Sequence, residues 1–282
     1  KLRMIGTPFT YTDIFAQLEE NDAYTVTKYP CLNALNEPLW PERWAYDALM
    51  QRKAEIGSLK FTREYLCVPI STGTALFNPE FIEKCKNKEY VLKLGNRKDK
   101  GYRYYVGVDP AISTDGDYNV ITVLEVDDEQ NKAIVHVDRA KNIQFRENIE
   151  KIRLIGKVFE PEEILFETNT FAKAFTQELK NMTDLNVRDF NTTRKKKQEI
   201  ILNLQMNIEN QKIIIPYGDN ASRRLSGALV EELSMFSITT SGRFEGVGAH
   251  DDLVMSLALA NAASQGTGEQ FILLDDLDIF DE

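Results

Sequence analysis

Near the C-terminal end, the stretch Leu253–Ala263 (LVMSLALANAA) carries no charged side chain. Read as a helix, it has no face to give to solvent, so it must be buried nearly all round. Any fold for this chain has to enclose that helix. Just before it stand Gly248-Ala249-His250-Asp251-Asp252. Acids at a helix N-terminus are favoured by the dipole and by capping. Capping accounts for one aspartate. It accounts poorly for two adjacent acids and a histidine at the entrance of a buried helix.

A second stretch, Tyr102–Val126 (YRYYVGVDPAISTDGDYNVITVLEV), reads as strand, tight turn and strand. Tyr104–Val108 and Asn119–Val126 are β-branched and aromatic runs, and the Asp-Gly pair within 113–117 signals an antiparallel hairpin. Asp109 closes the first strand, between Val108 and Pro110, and so sits at the rim of a sheet. Glu167 holds a similar place after Ile164-Leu165-Phe166. Alone, each acid has an ordinary reading: Asp109 opens a turn, and Glu167 is a solubility charge. Together, Asp109, Glu167, Asp251 and Asp252 offer carboxylates from two strands and a helix. Hard cations such as Mg²⁺ and Mn²⁺ take oxygen ligands, and clustered carboxylates ionise together only when a cation offsets their repulsion. Two such ions about 3.5–4 Å apart favour in-line attack on phosphorus. A constellation of this kind hydrolyses phosphodiesters.

A polyanionic substrate needs a basic track. The net charge is −10, but Asp275, Asp276, Asp278, Asp281 and Glu282 supply five of those negative charges, so a local stripe matters more than the sum. Arg188, the run Arg194-Lys195-Lys196-Lys197 at the head of a helix, Arg223-Arg224 and Arg243 lie in the same part of the chain as the acids. A Lys/Arg run is usually a solvated face; here it also suits a phosphate backbone. The three cysteines are far apart and have no nearby histidine, so they build neither a disulfide framework nor a zinc knuckle. No apolar run approaches the ~18 residues of a membrane helix.

In order, the chain reads as a strand over 1–5 with a Gly6-Thr7-Pro8 turn, a short helix over 13–20, an extended stretch over 24–30, a helix from Pro41 to Ile56, and another over 59–66. Gly101 onward alternates β-β-β-α-β-α-β-α, followed by a hairpin over 236–244 and the buried helix. Three antiparallel strands and then strand–helix alternation predict an α/β mixed sheet flanked by helices. The expected divisions are 1–78, a small and mostly helical segment; 79–100, a connection; 101–268, the α/β domain; and 269–282, an acidic tail. Beginning at KLRMIGTPF, without an initiator Met, the chain is expected to be a fragment or a cleaved product.

The motifs GVDPA, ILFETN and, above all, GAHDDLVMSLALA resemble the nuclease domain of the large terminase subunit of tailed bacteriophages. MIGTPF is similar to the coupling motif that ends a terminase ATPase core, and PERW with LKFTREYLCVPIS to the linker or lid after it. The resemblance spans nearly the whole chain and implies a ribonuclease-H-like fold. It implies a metal-dependent endonuclease that cuts concatemeric double-stranded viral DNA, with Asp109, Glu167 and Asp251, Asp252 or both as catalytic metal ligands for Mg²⁺ or Mn²⁺, two ions being expected. Asp115, Asp117 and His250 would be accessory. Arg188, Arg194, Lys195, Lys196, Lys197 and Arg243 would contact DNA, and Thr7 would belong to the ATP-coupling turn. The implied partners are portal protein and small terminase subunit, in the cytoplasm of the infected host, with no membrane. The chain has no GxxxxGK[ST] loop, so ATP belongs to an upstream domain and no ATPase activity is expected here. The alternative is a docking module of a packaging motor with weak nuclease activity. A sugar kinase of the same fold would need Gly-rich phosphate loops that are absent, and a resolvase would leave MIGTPF unexplained.

Overall fold

The computed structural model describes residues 2–8, 13–19, 21–33, 35–69, 75–92, 101–110, 118–141, 143, 145–168, 172–239, 243–246 and 251–266. The first part is helical and irregular. Helix α1 (Ile14–Glu19) comes first, and α2 (Tyr46–Ile56) and α3 (Ser58–Glu64) pack together over a small core of Leu32, Leu49 and Phe61. Gly57, at φ 82°, ends α2 and starts α3 in a conformation that favours glycine. The helix expected from Pro41 begins only at Tyr46, after turns over 41–44. The strands expected over 1–5 and 24–30 do not form: residues 2–8 and 25–30 carry no regular structure, and Ile5 is 98% exposed. A strand pattern needs a neighbour to complete its hydrogen-bond ladder, and no described strand lies beside these segments.

The main body starts before Gly101. Asn78 caps α4 (Pro79–Cys85) by accepting from the Glu80 N–H, and Pro79 occupies the first turn. Strand β1 (Lys86–Asn87) follows and pairs parallel with a later strand. Within 79–100, the segment set down as a connection, Ile82, Cys85 and Leu92 therefore pack into the main core. Next come β2 (Arg103–Asp109), β3 (Asn119–Val126) and β4 (Lys132–Ala140), an antiparallel meander. The chain continues through α5 (Phe145–Phe159), β5 (Glu163–Thr168), α6 (Ala172–Met182), β6 (Val187–Asn191), α7 (Arg194–Glu209), β7 (Ile213–Pro216) and α8 (Asn220–Met235). It ends in the hairpin β8 (Phe236–Ile238) and β9 (Phe244–Gly246), then α9 (Asp252–Ala263).

Seven strands form one sheet in the order β1-β7-β4-β3-β2-β5-β6, with β5 and β6 parallel to β2. This is the ribonuclease-H-like mixed sheet with helices on both faces. The alternation of β2 explains the two faces. Tyr104, Val106 and Val108 join Ile149, Ile152, Phe159 and Leu179 under α5 and α6. Tyr105 points the other way, into the core made with α7, α8 and α9. On that second face Gly107 lets α9 lie directly on β2. A Cβ at this position would stand 2.0 Å from the Ser256 carbonyl oxygen and 2.4 Å from the Ala260 nitrogen. Ser256 Oγ donates to the Gly107 carbonyl, and α9 is buried from Leu253 to Ala263.

Candidate metal centre

Two-residue periodicity places the acids. Asp109 lies two residues beyond Gly107 and Glu167 two beyond Leu165, so both side chains leave the sheet on the α9 face. Val108 pairs with Phe166 in the parallel ladder, which puts Asp109 and Glu167 side by side one step further on. Their carboxyls are within hydrogen-bonding reach of each other. Helix α9 brings its N-terminus to the same end of the sheet, with Asp251 and Asp252 at its entrance. Burial, first, and then the charges of Glu167, Asp252 and Asp251 hold the Asp109 carboxyl well above the usual carboxylate range.

The two aspartates of α9 do different things. Asp251 occupies the N-cap position but makes no side-chain capping bond. Its carboxylate is instead 2.9 Å from Lys197 Nζ. Asp252 Oδ2 accepts the Tyr118 N–H at 3.2 Å. The cap comes from α8: Glu232 Oε2 accepts the Leu253 N–H at 2.8 Å, while Oε1 accepts from Arg139 Nη2 at 2.8 Å. Burial pushes the Glu232 carboxyl up to about 7 against the downward pull of Arg139. The Arg139 guanidinium and the Lys141 ammonium both lie over the Tyr118 ring, at 3.9 and 4.4 Å from its centroid.

Sequence reasoning passed over Glu232, Arg139 and Tyr118. A signal for Glu232 existed. Ser222, Ser226, Leu229 and Leu233 form the inward stripe of α8, and Glu232 sits on that buried side. Of the basic residues, Lys197 reaches the acids. Lys196 at the head of α7 lies over Phe190. Arg243 lies just before the second strand of the small hairpin, where its N–H donates to Thr239 Oγ1. Arg188 is gripped at both ends by Glu163, at 2.7 and 2.8 Å, and pairs in register with Leu165 rather than Glu167. Thr7 Oγ1 donates to Glu64 Oε2 at 2.8 Å, in the helical first part. Asp115, Asp117 and His250 lie outside the described residues.

Among the described residues, no group of three His, Cys, Asp or Glu side chains stands as a ready-made metal cage. The donor set nonetheless fits a hard divalent cation, because all four groups are carboxylates and no thiol or imidazole stands among them. Burial does most to raise Asp109, and the neighbouring carboxylates that add to it are the repulsion such a cation would relieve. Each acid meanwhile leans on a substitute: Asp109 on Glu167, Asp251 on a lysine and Asp252 on a backbone N–H.

Comparison with known proteins agrees with this architecture. Residues 106–263, more than half of the chain, match the family described as the terminase RNaseH-like domain. The large terminase subunit of Thermus virus P23-45 is 26% identical over 263 residues, covering 88% of this chain and 50% of the relative. The chain thus spans about half the length of the curated relatives it matches. Among solved structures, the large terminase nuclease of thermophilic phage G20c with bound magnesium superposes with a TM-score of 0.55 at 21% identity, covering 67% of this chain and 96% of that one. The large terminase of a second thermophilic bacteriophage gives a TM-score of 0.61 at 10% identity over 92% and 61% of the two chains. At these identities the structural likeness speaks to the fold.

Proposed function

The chain belongs to the terminase RNaseH-like domain family, and from that footing we propose that it is a metal-dependent endonuclease of a viral DNA-packaging motor, hydrolysing phosphodiesters of concatemeric double-stranded DNA. One observation carries the reading: Asp109 and Glu167, neighbours on adjacent strands, meet the N-terminus of α9 with its two aspartates at one end of the sheet. Asp109, Glu167 and Asp251, Asp252 or both would hold Mg²⁺ or Mn²⁺, in a site of one or two ions. Bound there, such ions supply Lewis acidity at phosphorus and a nucleophile at neutral pH.

The protein's own part is holding and orienting. Strand ends fix Asp109 and Glu167, whose backbones are locked in the ladder, and the buried α9 fixes the aspartates. Lys197 holds the Asp251 carboxylate in place, and its ammonium is on hand for a scissile phosphate drawn to the acids. Arg194, Lys195 and Lys196, within one turn at the start of α7, and Arg243 extend a track for neighbouring phosphates. Portal and small terminase subunit are the proposed partners and the host cytoplasm the proposed location; among the described residues no helix is long and apolar enough to cross a membrane.

Plasmid cleavage by the chain, in Mg²⁺ or Mn²⁺ against EDTA, tests this beside Asp109→Asn and the double change Asp251→Asn/Asp252→Asn. Metal-dependent nicking and linearisation, lost in both variants, is expected. Cleavage that persists in EDTA, or that survives in both variants, would refute it. The docking-module reading is favoured by one observation, the exposure of Leu35, Leu39 and Trp40 in the helical first part. It predicts partner binding that survives Asp109→Asn.

A further inference from the structure

Asp252 is enclosed in a closed ring of contacts. Its Oδ2 accepts the Tyr118 N–H at 3.2 Å. The Tyr118 ring carries the Arg139 guanidinium 3.9 Å from its centroid. Arg139 donates to Glu232 at 2.8 Å, and Glu232 accepts the N–H of Leu253, the residue after Asp252, also at 2.8 Å. The ring draws on three elements, β4, α8 and α9, and on the residue that leads into β3. Register aligns it with the acids: Asp109 and Arg139 both pair with Val120, so they flank β3 at one level on one face of the sheet.

Stability does not explain why Glu232 is here. Its side chain is 5% exposed, and a buried Arg–carboxylate pair is commonly matched or bettered by apolar residues of similar volume. Helix α9 could also be capped from its own N-cap position, which an aspartate fills. That aspartate makes no capping bond; its carboxylate is on Lys197, and Glu232 reaches across from α8 to take the Leu253 N–H. The consequence is chemical. With the cap supplied from outside the helix, the N-cap residue Asp251 is released from capping, while Asp252, one residue further on, is held by the Tyr118 N–H.

We propose that Glu232 and Arg139 are positioning residues: Glu232 replaces the helix's own cap so that Asp251 stays with the acid cluster, and Arg139, locked between Glu232 and Tyr118, fixes the orientation of Asp252. This rests on the metal-nuclease reading for its purpose, though not for its geometry. Partners that orient a metal ligand from outside the ligand set are generally worth about 10–100-fold in metal affinity.

The test uses the full chain with Glu232→Ala, Glu232→Gln and Arg139→Met, in two arms. Without metal, amide hydrogen exchange is followed at Leu253 and Tyr118, with the core-strand amide of Val123 as the gauge of global stability. Glu232→Ala should speed exchange at both sites at least tenfold relative to Val123. Glu232→Gln, which keeps an acceptor for the Leu253 N–H, should restore Leu253. Arg139→Met should speed Tyr118 and leave Leu253 protected. In the second arm, Mn²⁺ binding is measured calorimetrically: about 10–100-fold weaker for Glu232→Ala and Arg139→Met, with Glu232→Gln recovering part of the loss. Should Glu232→Ala fail to fold, Arg139→Met carries both arms. Unchanged Tyr118 exchange relative to Val123, or Mn²⁺ affinity within threefold of wild type in folded variants, overturns the proposal. A wild-type chain that takes up no Mn²⁺ overturns the metal reading instead, and the exchange arm still decides the positioning.

Discussion

Gly107→Ala, a single added methyl group, should weaken both the fold and the site. The added Cβ meets backbone: Ser256 O at 2.0 Å and Ala260 N at 2.4 Å, with Leu259 Cβ at 3.0 Å. No rotamer change relieves a backbone clash, so α9 must move as a body. Taking the Ser256 oxygen to an ordinary contact of 3.4 Å needs about 1.4 Å of travel (3.4 − 2.0). That movement stretches the Ser256 Oγ bonds to Gly107 O and Thr122 Oγ1, both now 2.9 Å. Overpacking costs roughly 1–3 kcal/mol, and the two stretched hydrogen bonds, weakened rather than lost, about 1 kcal/mol together. A total of about 2–4 kcal/mol, at about 2–4 °C per kcal/mol for a chain of this size, lowers Tm by about 4–16 °C. Asp251 and Asp252 ride on the moving helix, and a misplacement of about 1 Å can cost about 100-fold in rate. Thermal melts and plasmid nicking below the variant's Tm would measure these two effects, and Mn²⁺ calorimetry would show the displaced aspartates as weaker binding. A Gly107→Ala protein that melts, binds Mn²⁺ and nicks like wild type would refute the reasoning, because α9 would then have room the structure denies it.

Gly227, inside α8, is the counterpart: the nearest atom to an added Cβ is Tyr217 Oη at 4.0 Å, so Gly227→Ala should stabilise by roughly 0.5–1 kcal/mol in a denaturant titration. Burial pushes the Cys85 thiol up to about 11, so iodoacetamide at pH 8 should modify at most Cys31 and Cys67 in the native chain and reach Cys85 only in denaturant, as mass spectrometry would report. Because burial and the neighbouring acids raise Asp109, its native form holds a proton that the unfolded chain has released above about pH 4. Metal-free stability should therefore fall as pH rises from there toward the folded-state value. Asp109→Asn should flatten that slope, raise the metal-free Tm at pH 7 and abolish the Tm increase on adding Mg²⁺.

Much of the fold is visible in side-chain pattern. The meander and the helix at 145–159 follow from periods of 2 and 3.6, and the buried final helix from an apolar run with no charge, each belonging to one segment. Elements whose existence depends on a distant partner are not visible in this way. Lys86–Asn87 has no strand signature and joins the sheet only because β7 offers a backbone edge. Segments 1–5 and 24–30 look like strands but have no edge to join among the described residues. Local preference proposes a strand, and pairing decides it.

The acids follow the same division. Asp109 and Glu167 can be read because each sits at the end of an apolar run whose alternation fixes its face, and two parallel neighbours on one face at one level must touch. Asp251 and Asp252 can be read because a wholly buried helix has one exit for charge. Glu232, Arg139 and Tyr118 belong to no shared segment pattern, since their meeting is made by α8 crossing behind the start of α9. A glutamate on the buried side of an otherwise ordinary amphipathic helix is the one trace they leave, and burying that charge only makes sense if its target lies on another element. Lys197 makes the same point from the opposite side. The sequence reads it as one more cation on a phosphate track, whereas the fold ties it to Asp251, so its first duty is to the acid cluster. The signs of charge in this chain are legible residue by residue, but their pairings are a property of the packing.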